Sequence, residues 1–546
     1  MTDFESIFEK DIVGKLTMPD RLIIKGHLTS LFPDGAFAAF LSRLGVLLKD
    51  FKHYIPTVSR AIKEHGEDIA KKAGRPFIYL RQNKTMAKGE TKEQFARHIA
   101  EEDGISEGLV CILSALEPCM SYCVRGDRET HRLAAVRSFR RCLHLYYYFI
   151  DPEFGFMHIR VQTWAPFEVQ FYVNGREWLC RQLDKENIGY TRHENAILSV
   201  GNLARAQELC RRFRNKKWTK FLGERASMVN PYLTTVTQAG FRSYYFCIDQ
   251  CEIATDVLFN SRASLHGLLS DLINHSIQQT TPKDVLKFLG RKLNGNLKAQ
   301  VTTDYKKRPY GARVKHRVGR NSIKMYDKWS VLRIETTINY PRDFKVAQYV
   351  TTTRTSSDAS AQGNSMAKRS RKLVWVRMNK GIANLWRYMQ IGEAANKRYL
   401  KYLSAVKPTK KAIRQLDRLS TGCVAKGKRV PKFNPVSATD CNAFAAVLAG
   451  TGLLNGIRNR DIASALYPPP KSKKVATRNR NRVSRLIAKL RGHGLLKKVP
   501  RCRMYRVTDR GISVMTAALK FRHQVFPDGF AAPQDLIRIQ LCTASP

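Results

Sequence analysis

The sequence predicts a multidomain α+β protein, and three observations carry that prediction. A chain of 546 residues exceeds the size at which one core keeps growing, so about two to four domains are expected. Hydrophobic residues make up 43% and aromatic residues 10%, enough for packed cores and unlike a disordered composition. Blocks of helical periodicity then alternate with blocks of short aromatic and β-branched runs.

Residues 1–108 read as an N-terminal helical domain. Phe37, Phe40, Leu41, Leu44 and Leu48 recur at helical spacing, and a second helix spans 57–72. PFIYL at 76–80 reads as a short strand, and GETKEQFARHIAEEDG as a third helix with a threonine cap. From Leu109 the texture changes. LVCILSAL, CMSYCVRG, HRLAAVRS, CLHLYYYFI and GFMHIRVQTW are parted by GDRE and DPEFG turns, which predicts four or five antiparallel strands. Helices over 166–189 and along ARAQELCRRFRNKKW complete an antiparallel-sheet α+β domain at 109–240, and an RNase H-like core is one arrangement open to residues 109–260. A further α+β domain at 241–349 carries the helix LHGLLSDLINHSI and ends in a hairpin. Residues 350–370 form a polar linker, 371–425 a basic helical segment, 426–440 a second linker, 441–526 a compact last domain and 527–546 a tail.

Charge is the strongest compositional signal: 95 Lys and Arg oppose 45 Asp and Glu, a formal net charge of +50. Such a field spread over folded domains calls for a polyanionic partner, and nucleic acid, DNA or RNA, fits. A membrane surface would be served by one basic amphipathic helix or a polybasic tail, whereas here the excess runs through the whole chain. No apolar run reaches the roughly 18 residues of a membrane span, and MTDFESIFEKDIVGK is too polar for a secretory signal. These features predict no membrane partner and a cytoplasmic, nucleoid-associated location. Twelve scattered cysteines predict reduced thiols.

The last domain has the clearest pattern. Helices along NAFAAVLAGTGLL, RNRDIASALYP and VATRNRNRVSRLIAKLRGHG precede a short ribbon in GLLKKVPRCRMYRVT and a closing helix in TDRGISVMTAALKF. Val483, Leu486, Ile487 and Leu490 fall at i, i+3, i+4 and i+7, so one stripe of the third helix faces a core while Arg478, Arg482, Arg485 and Lys489 point largely elsewhere. Residues 475–510 hold twelve Lys or Arg against one acid, Asp509. This order of elements resembles a winged-helix DNA-binding domain. The resemblance implies a third helix in the major groove and a ribbon on the flanking backbone, with Arg478, Arg480, Arg482, Arg485, Lys489, Lys497, Lys498, Arg501 and Arg503 as nucleic-acid contacts. A winged helix used as a protein-interaction or RNA-contact module is the alternative.

The hairpin IKMYDKWSVLRIETT, with Trp329 and Ser330 as its turn, places Lys324 opposite Glu335 and Tyr326 opposite Arg333 on one face. Ile323, Met325, Leu332 and Ile334 take the other face. The polar face already holds a cross-strand charge pair, so it makes sense as a wet face. It also reads as a phosphate platform formed by Lys324, Tyr326 and Arg333, with KKRPYGARVKHRVGR supplying more cations. "YDK" followed by "LRIE" on the next strand is similar to a stretch of some phage and plasmid replication initiators, in which acids on a sheet hold a metal beside a nucleophilic tyrosine. That resemblance implies Asp327 and Glu335 as metal ligands. No His-x-His occurs among the 13 histidines, so the paired-histidine site of the commonest initiators is absent and no catalytic tyrosine is carried over.

Asp249, Glu252 and Asp256, read on a helix, share a face at i, i+3 and i+7 and can present carboxylates to a divalent ion, although acids so spaced are usually a solvent face. Asp151 and Glu153 could add to them in an RNase H-like core, but DPEFG is first a turn in which Asp caps. Cys119, Cys123, His131, Cys142 and His144 lack the Cys-x2-Cys spacing of a zinc site. YYYF at 146–149 and YYF at 244–246 read as core before base-stacking. GxxxxGK[ST], HExxH, GxSxG and kinase signatures are absent, which disfavours ATP-driven and ordinary hydrolase chemistry.

Two function classes follow. One is a nucleic-acid-binding protein of a mobile element or ribonucleoprotein, or a transcriptional regulator, which needs no cofactor. The other is a metal-dependent nuclease, transposase or replication initiator using Mg2+ held by acids among Asp249, Glu252, Asp256, Asp327 and Glu335.

Overall fold

The computed structural model describes residues 3–81, 85–126, 129, 131–291, 300–308, 311–353, 369–406, 416–425, 427–448, 457–470, 472–500 and 503–522. The chain is a mixed α+β protein that divides into two compact units, Met1–Ser404 and Ala405–Pro546. In the first unit, α1 (Asp3–Ile7) leads into β1 (Ile12–His27), followed by α2 (Ala36–Arg43), α3 (Phe51–Lys72), β2 (Phe77–Tyr79) and α4 (Lys92–Glu102). Strands β3 (Gly108–Gly126), β4 (Leu133–Asp151), β5 (Gly155–Gln162) and β6 (Val169–Asn174) form a meander. Then come α5 (Gly175–Lys185), the hairpin β7 (Tyr190–His193) and β8 (Ala196–Val200), α6 (Leu203–Arg212), α7 (Trp218–Val229) and α8 (Tyr232–Gln238). β9 (Tyr245–Phe259), α9 (Arg262–Gln278) and α10 (Pro282–Phe288) precede β10 (Val301–Arg308), β11 (Gly311–Val318), β12 (Asn321–Lys328) and β13 (Val331–Ile338). A ribbon of β14 (Lys345–Thr353) and β15 (Arg369–Arg377) and the long α11 (Leu385–Leu403) close the unit.

Eleven of these strands form one sheet in the order β10-β11-β12-β13-β9-β1-β6-β5-β4-β3-β2. Every pair is antiparallel except β2 with β3. The divisions expected at residues 108 and 240 therefore run through a shared sheet, with β1 and β2 from the first segment, β3 to β6 from the second and β9 to β13 from the third. The sequence expectation of helices through residues 20–106 misses β1, a central strand. Its polar residues and Pro19 hide the alternation, and a bulge accommodates both: Pro19 pairs with Ile253 and Arg21 with Glu252, leaving Asp20 as the extra residue.

CIDQCEIATDVLF, expected as a helix, is β9, buried on both faces over most of its length and so without the period-2 signature of a strand. The helix expected over 166–189 starts as strand β6 and becomes helical only where Asn174 accepts from the N–H groups of Arg176 and Glu177. The basic helical segment likewise begins as strand β15 before α11. The expected threonine cap is present: Thr91 forms a capping box with Gln94.

On one face of the sheet α11 lies close to β9. A Cβ on Gly392 would sit 2.6 Å from Ile253, and the buried Asn396 donates to Ile253 O and accepts from Thr336. The opposite face carries α5, whose Gly175 approaches the Pro19 carbonyl so closely that a Cβ would lie 1.9 Å from it. That contact brings Arg176 to the β1 bulge.

The second unit contains the ribbon β16 (Cys423–Ala425) and β17 (Lys428–Val430), then α12 (Ala438–Leu448), α13 (Asn459–Leu466), α14 (Lys473–Gly492), the ribbon β18 (Leu496–Lys498) and β19 (Tyr505–Val507), and α15 (Asp509–Lys520). Val483, Ile487 and Leu490 of α14 are buried with Phe433, Phe444, Ile462, Leu495 and Met515. No helix among the described residues is long and apolar enough to cross a membrane.

Candidate functional site

The β12–β13 hairpin has the register the sequence predicts. Lys324 pairs with Glu335 and Tyr326 with Arg333, around a turn whose Trp329 takes a positive φ of 58°. The polar face is nevertheless not wet. Arg333 is fully buried and Glu335 and Tyr326 are nearly so, because β9 and the β1 bulge continue the sheet beside them. Tyr326 and Arg333, expected on a phosphate platform, thus lie beneath the surface, while Lys324 keeps 16% of its side chain exposed.

Two charge networks meet on this face. In the first, Arg333 holds Asp256 in a bidentate pair at 2.6 and 2.8 Å and donates to Asp20 Oδ2 at 3.1 Å and to the Asn195 carbonyl at 2.8 Å. Arg176 adds a contact to Asp256 at 3.1 Å. Burial alone would raise Asp256, but Arg176 and Arg333 outweigh it and hold the carboxyl below its ordinary range. Asp256 is therefore the anionic centre of a buried ion cluster, with both oxygens engaged.

The second network is the candidate metal centre. Asp20, Glu252 and Glu335 each present a carboxylate oxygen, and the three oxygens lie within 4.8 Å of one another. Lys324 Nζ donates to Glu335 at 2.5 Å and to Glu252 at 3.4 Å, the Tyr326 hydroxyl donates to Glu335 at 2.6 Å, and Gln250 donates to Glu252 at 2.8 Å. Burial raises Asp20 against the opposing pull of Arg333 and Arg176, and burial with the charge of Glu335 raises Glu252. Glu335 is held low: burial pushes it up, and the Lys324 ammonium and Tyr326 hydroxyl push harder the other way. Three clustered carboxylates of hard oxygen character fit Mg2+ or Mn2+, and the Lys324 ammonium already neutralises two of them, Glu335 and Glu252.

Of the acids named from sequence, Glu252 and Glu335 converge, and Asp20 joins them. Asp20 was legible only through MPDRLIIK, a proline inside a β-branched run, which marks a bulge that can re-aim a side chain. Asp249 sits at another bulge of β9, between Lys25 and Lys380 at 3.6 Å each, and is half-exposed. Asp327 accepts from the Ala312 N–H at 2.8 Å on the opposite face of the sheet and is a strand-joining residue. Asp151 caps its turn by accepting from Glu153 and Phe154 N–H. Cys119, Cys123, Cys142 and His144 form no metal-ligand cluster among the described residues, and Tyr146, Tyr147 and Tyr148 are buried.

Beside the acid cluster, the Arg21 guanidinium lies 5.2 Å from the Tyr172 ring centre, and His158 stacks on the same ring at 5.3 Å. Burial, with Arg160 and Arg21 nearby, pulls His158 down to about 3, so it is neutral at physiological pH. The sheet edge beyond the hairpin is basic: Lys306, Lys307, Arg308 and Arg317 are exposed. Lys315 is lowered by burial and by the neighbouring charges of Arg317, Lys324 and Arg313.

In the second unit, Arg478, Arg480, Arg482, Arg485, Lys497, Lys498 and Arg503 are exposed and pair with no acid among the described residues. Lys489 differs: it reaches Asp440 at 3.5 Å and lies 3.8 Å from the Phe433 ring centre, so it braces the core. Arg501 falls outside the described residues. Comparisons of the chain with family models, with curated proteins and with solved structures find no match.

Proposed function

We propose that the chain binds nucleic acid, gripping duplex DNA through a winged-helix second unit and phosphates along the basic edge of the sheet. One observation carries this reading. Helix α14 buries Val483, Ile487 and Leu490 and leaves Arg478, Arg482 and Arg485 exposed without acidic partners among the described residues, and the ribbon behind it exposes Lys497 and Lys498. Unpaired cations on a helix and ribbon suit a groove and its flanking phosphates. The exposed Lys306, Lys307, Arg308 and Arg317 make the sheet edge a second place where an anion is favourable. The test is Arg482→Glu with Arg485→Glu: duplex affinity should be lost at moderate salt with the thermal midpoint unchanged, and unaltered affinity overturns the reading.

A second reading rests on the meeting of Asp20, Glu252 and Glu335: metal-dependent cleavage or joining of DNA, as in a nuclease, transposase or replication initiator of a mobile element. The three carboxylates would hold Mg2+ or Mn2+, which when bound polarises a phosphodiester and lowers the pKa of a bound water. The chain's own contribution is a buried, preformed donor set braced by Tyr326 and Gln250 and neutralised by Lys324. Glu252→Gln should remove Mn2+-dependent cutting of single-stranded DNA while leaving duplex affinity intact. Full cutting by that variant would eliminate the site.

A further inference from the structure

A separate basic cavity lies in the first unit, away from the acid cluster in composition. It has a volume of about 430 Å3 and is lined by Arg214, Lys216 and Lys217, by the first turn of α7, and by the residues that open α11. Among the described residues no acidic side chain lines it. The first-turn residues Trp218, Thr219 and Lys220 come from a helix whose N-terminus no side chain caps, whereas Ile382 and Ala383 lie in a single 3-10 turn (Ile382–Asn384) that runs into Leu385 and Trp386 at the start of α11. The positive end of α7 thus faces the cavity.

The side chains extend this preference. Arg214 and Lys217 are exposed and have no acidic partner among the described residues, and Lys220 has only the exposed Glu224 at 3.9 Å. Lys216 is committed, paired to Glu153 and lying over the rings of Phe154 and Phe221. Trp218 is 5% exposed, and its indole N–H has no hydrogen-bond partner although it belongs to a nine-tenths buried side chain lining the cavity. Trp386 is 44% exposed, and the Arg387 guanidinium lies 4.6 Å from its ring centre. A cation-rich cavity with a half-exposed aromatic ring at its rim matches an anion joined to a flat ring.

We propose that this cavity binds one nucleotide of single-stranded nucleic acid, its phosphate at the α7 terminus beside Arg214 and Lys217 and its base on Trp386. The volume accommodates a nucleotide, and exposed Lys217, Lys220 and Trp386 leave the strand a way in and out. Stacking needs no edge-specific contacts, so the site tolerates any base. The inference concerns the first unit and stands apart from the duplex reading of the second.

The test uses the full chain, a fluorescein-labelled oligothymidylate of about 12 nucleotides and a labelled duplex, read by anisotropy at about 0.15 M salt. Trp386→Ala and, separately, Lys217→Glu should weaken oligothymidylate binding about tenfold or more and leave duplex affinity within about twofold, the reverse of the Arg482→Glu, Arg485→Glu pattern. Both side chains are exposed, so the variants should match the parent in circular dichroism and thermal midpoint. Unchanged oligothymidylate affinity in both variants overturns the proposal, as does failure of the parent to bind it. Competition by thymidine monophosphate as effective, mole for mole, as by the oligomer would assign a free nucleotide and overturn the single-strand assignment.

Discussion

Lys324→Met separates a metal centre from a closed structural ion cluster. Methionine keeps the apolar stem and deletes the ammonium that contacts Glu335 at 2.5 Å and Glu252 at 3.4 Å. Breaking a buried pair by removing one partner typically costs about 3–5 kcal/mol. Lys324 retains 16% side-chain exposure, and Glu252, already raised, can take up a proton in response, so a loss of about 2–3 kcal/mol is expected at pH 7. If Asp20, Glu252 and Glu335 form a cation site, Mn2+ should then restore stability to the variant, by about 1.4 kcal/mol at ten times its dissociation constant, and restore less to the parent, where the ammonium competes. Urea midpoints of both proteins with Mn2+ or with chelator give the answer. A variant as stable as the parent would refute the pairing, and a variant whose midpoint ignores Mn2+ would refute the metal centre.

Other outcomes follow from the same geometry. The double reversal Arg482→Glu, Arg485→Glu should also flatten the salt dependence of residual duplex binding, the log–log slope shrinking by about two where both arginines meet phosphates. Arg333→Met should cost about 3–5 kcal/mol at pH 7, because Asp256 is left buried with Arg176 alone. In the parent, Asp256 is depressed, so its contribution is present above the unfolded carboxyl pKa and is lost as pH falls through the folded value. In the variant, burial dominates and Asp256 protonates more readily. The stability deficit should therefore shrink between pH 7 and pH 5, and a constant deficit would show that Asp256 is not the group left stranded. For Glu252→Gln, loss of cutting together with loss of duplex affinity would mean the side chain supports the fold and not the reaction.

How much of this was legible in the sequence differs from one strand to the next, for physical reasons. The hairpin register is fixed by its own turn and by strict alternation, so Lys324 opposite Glu335 and Tyr326 opposite Arg333 could be read directly. Its burial could not, because the strands that cover it, β9 and β1, are distant in sequence and β9 carries apolar residues on both faces. The α14 stripe was legible because a surface helix records its buried side at a period of 3.6. Asp20 belongs to the opposite case. A bulge breaks the period on which strand reading depends, and it does so at the residue that completes the acid cluster.

The charge balance of the cluster leads to one more consequence. Asp20, Glu252, Asp256 and Glu335 face Arg21, Arg176, Lys324 and Arg333, four acids against four cations, so the protein alone is close to neutral there. A divalent ion entering such a site adds two charges to a region that lacks solvent to screen them, which favours the ion only when an anion arrives with it or Lys324 withdraws. On the proposed function, a phosphodiester over the open side of Lys324 would supply that anion. Metal and nucleic acid should therefore bind with positive coupling, each raising the affinity of the other by the same factor. Titrating Mn2+ by electron paramagnetic resonance with and without a saturating oligonucleotide, in the parent and in Glu252→Gln, measures it. The expected result is an oligonucleotide-dependent gain of about 5-fold or more in the parent that the variant loses. Equal Mn2+ affinity with and without the oligonucleotide would mean that the acids and Lys324 answer only to one another, leaving the sheet as a scaffold for binding.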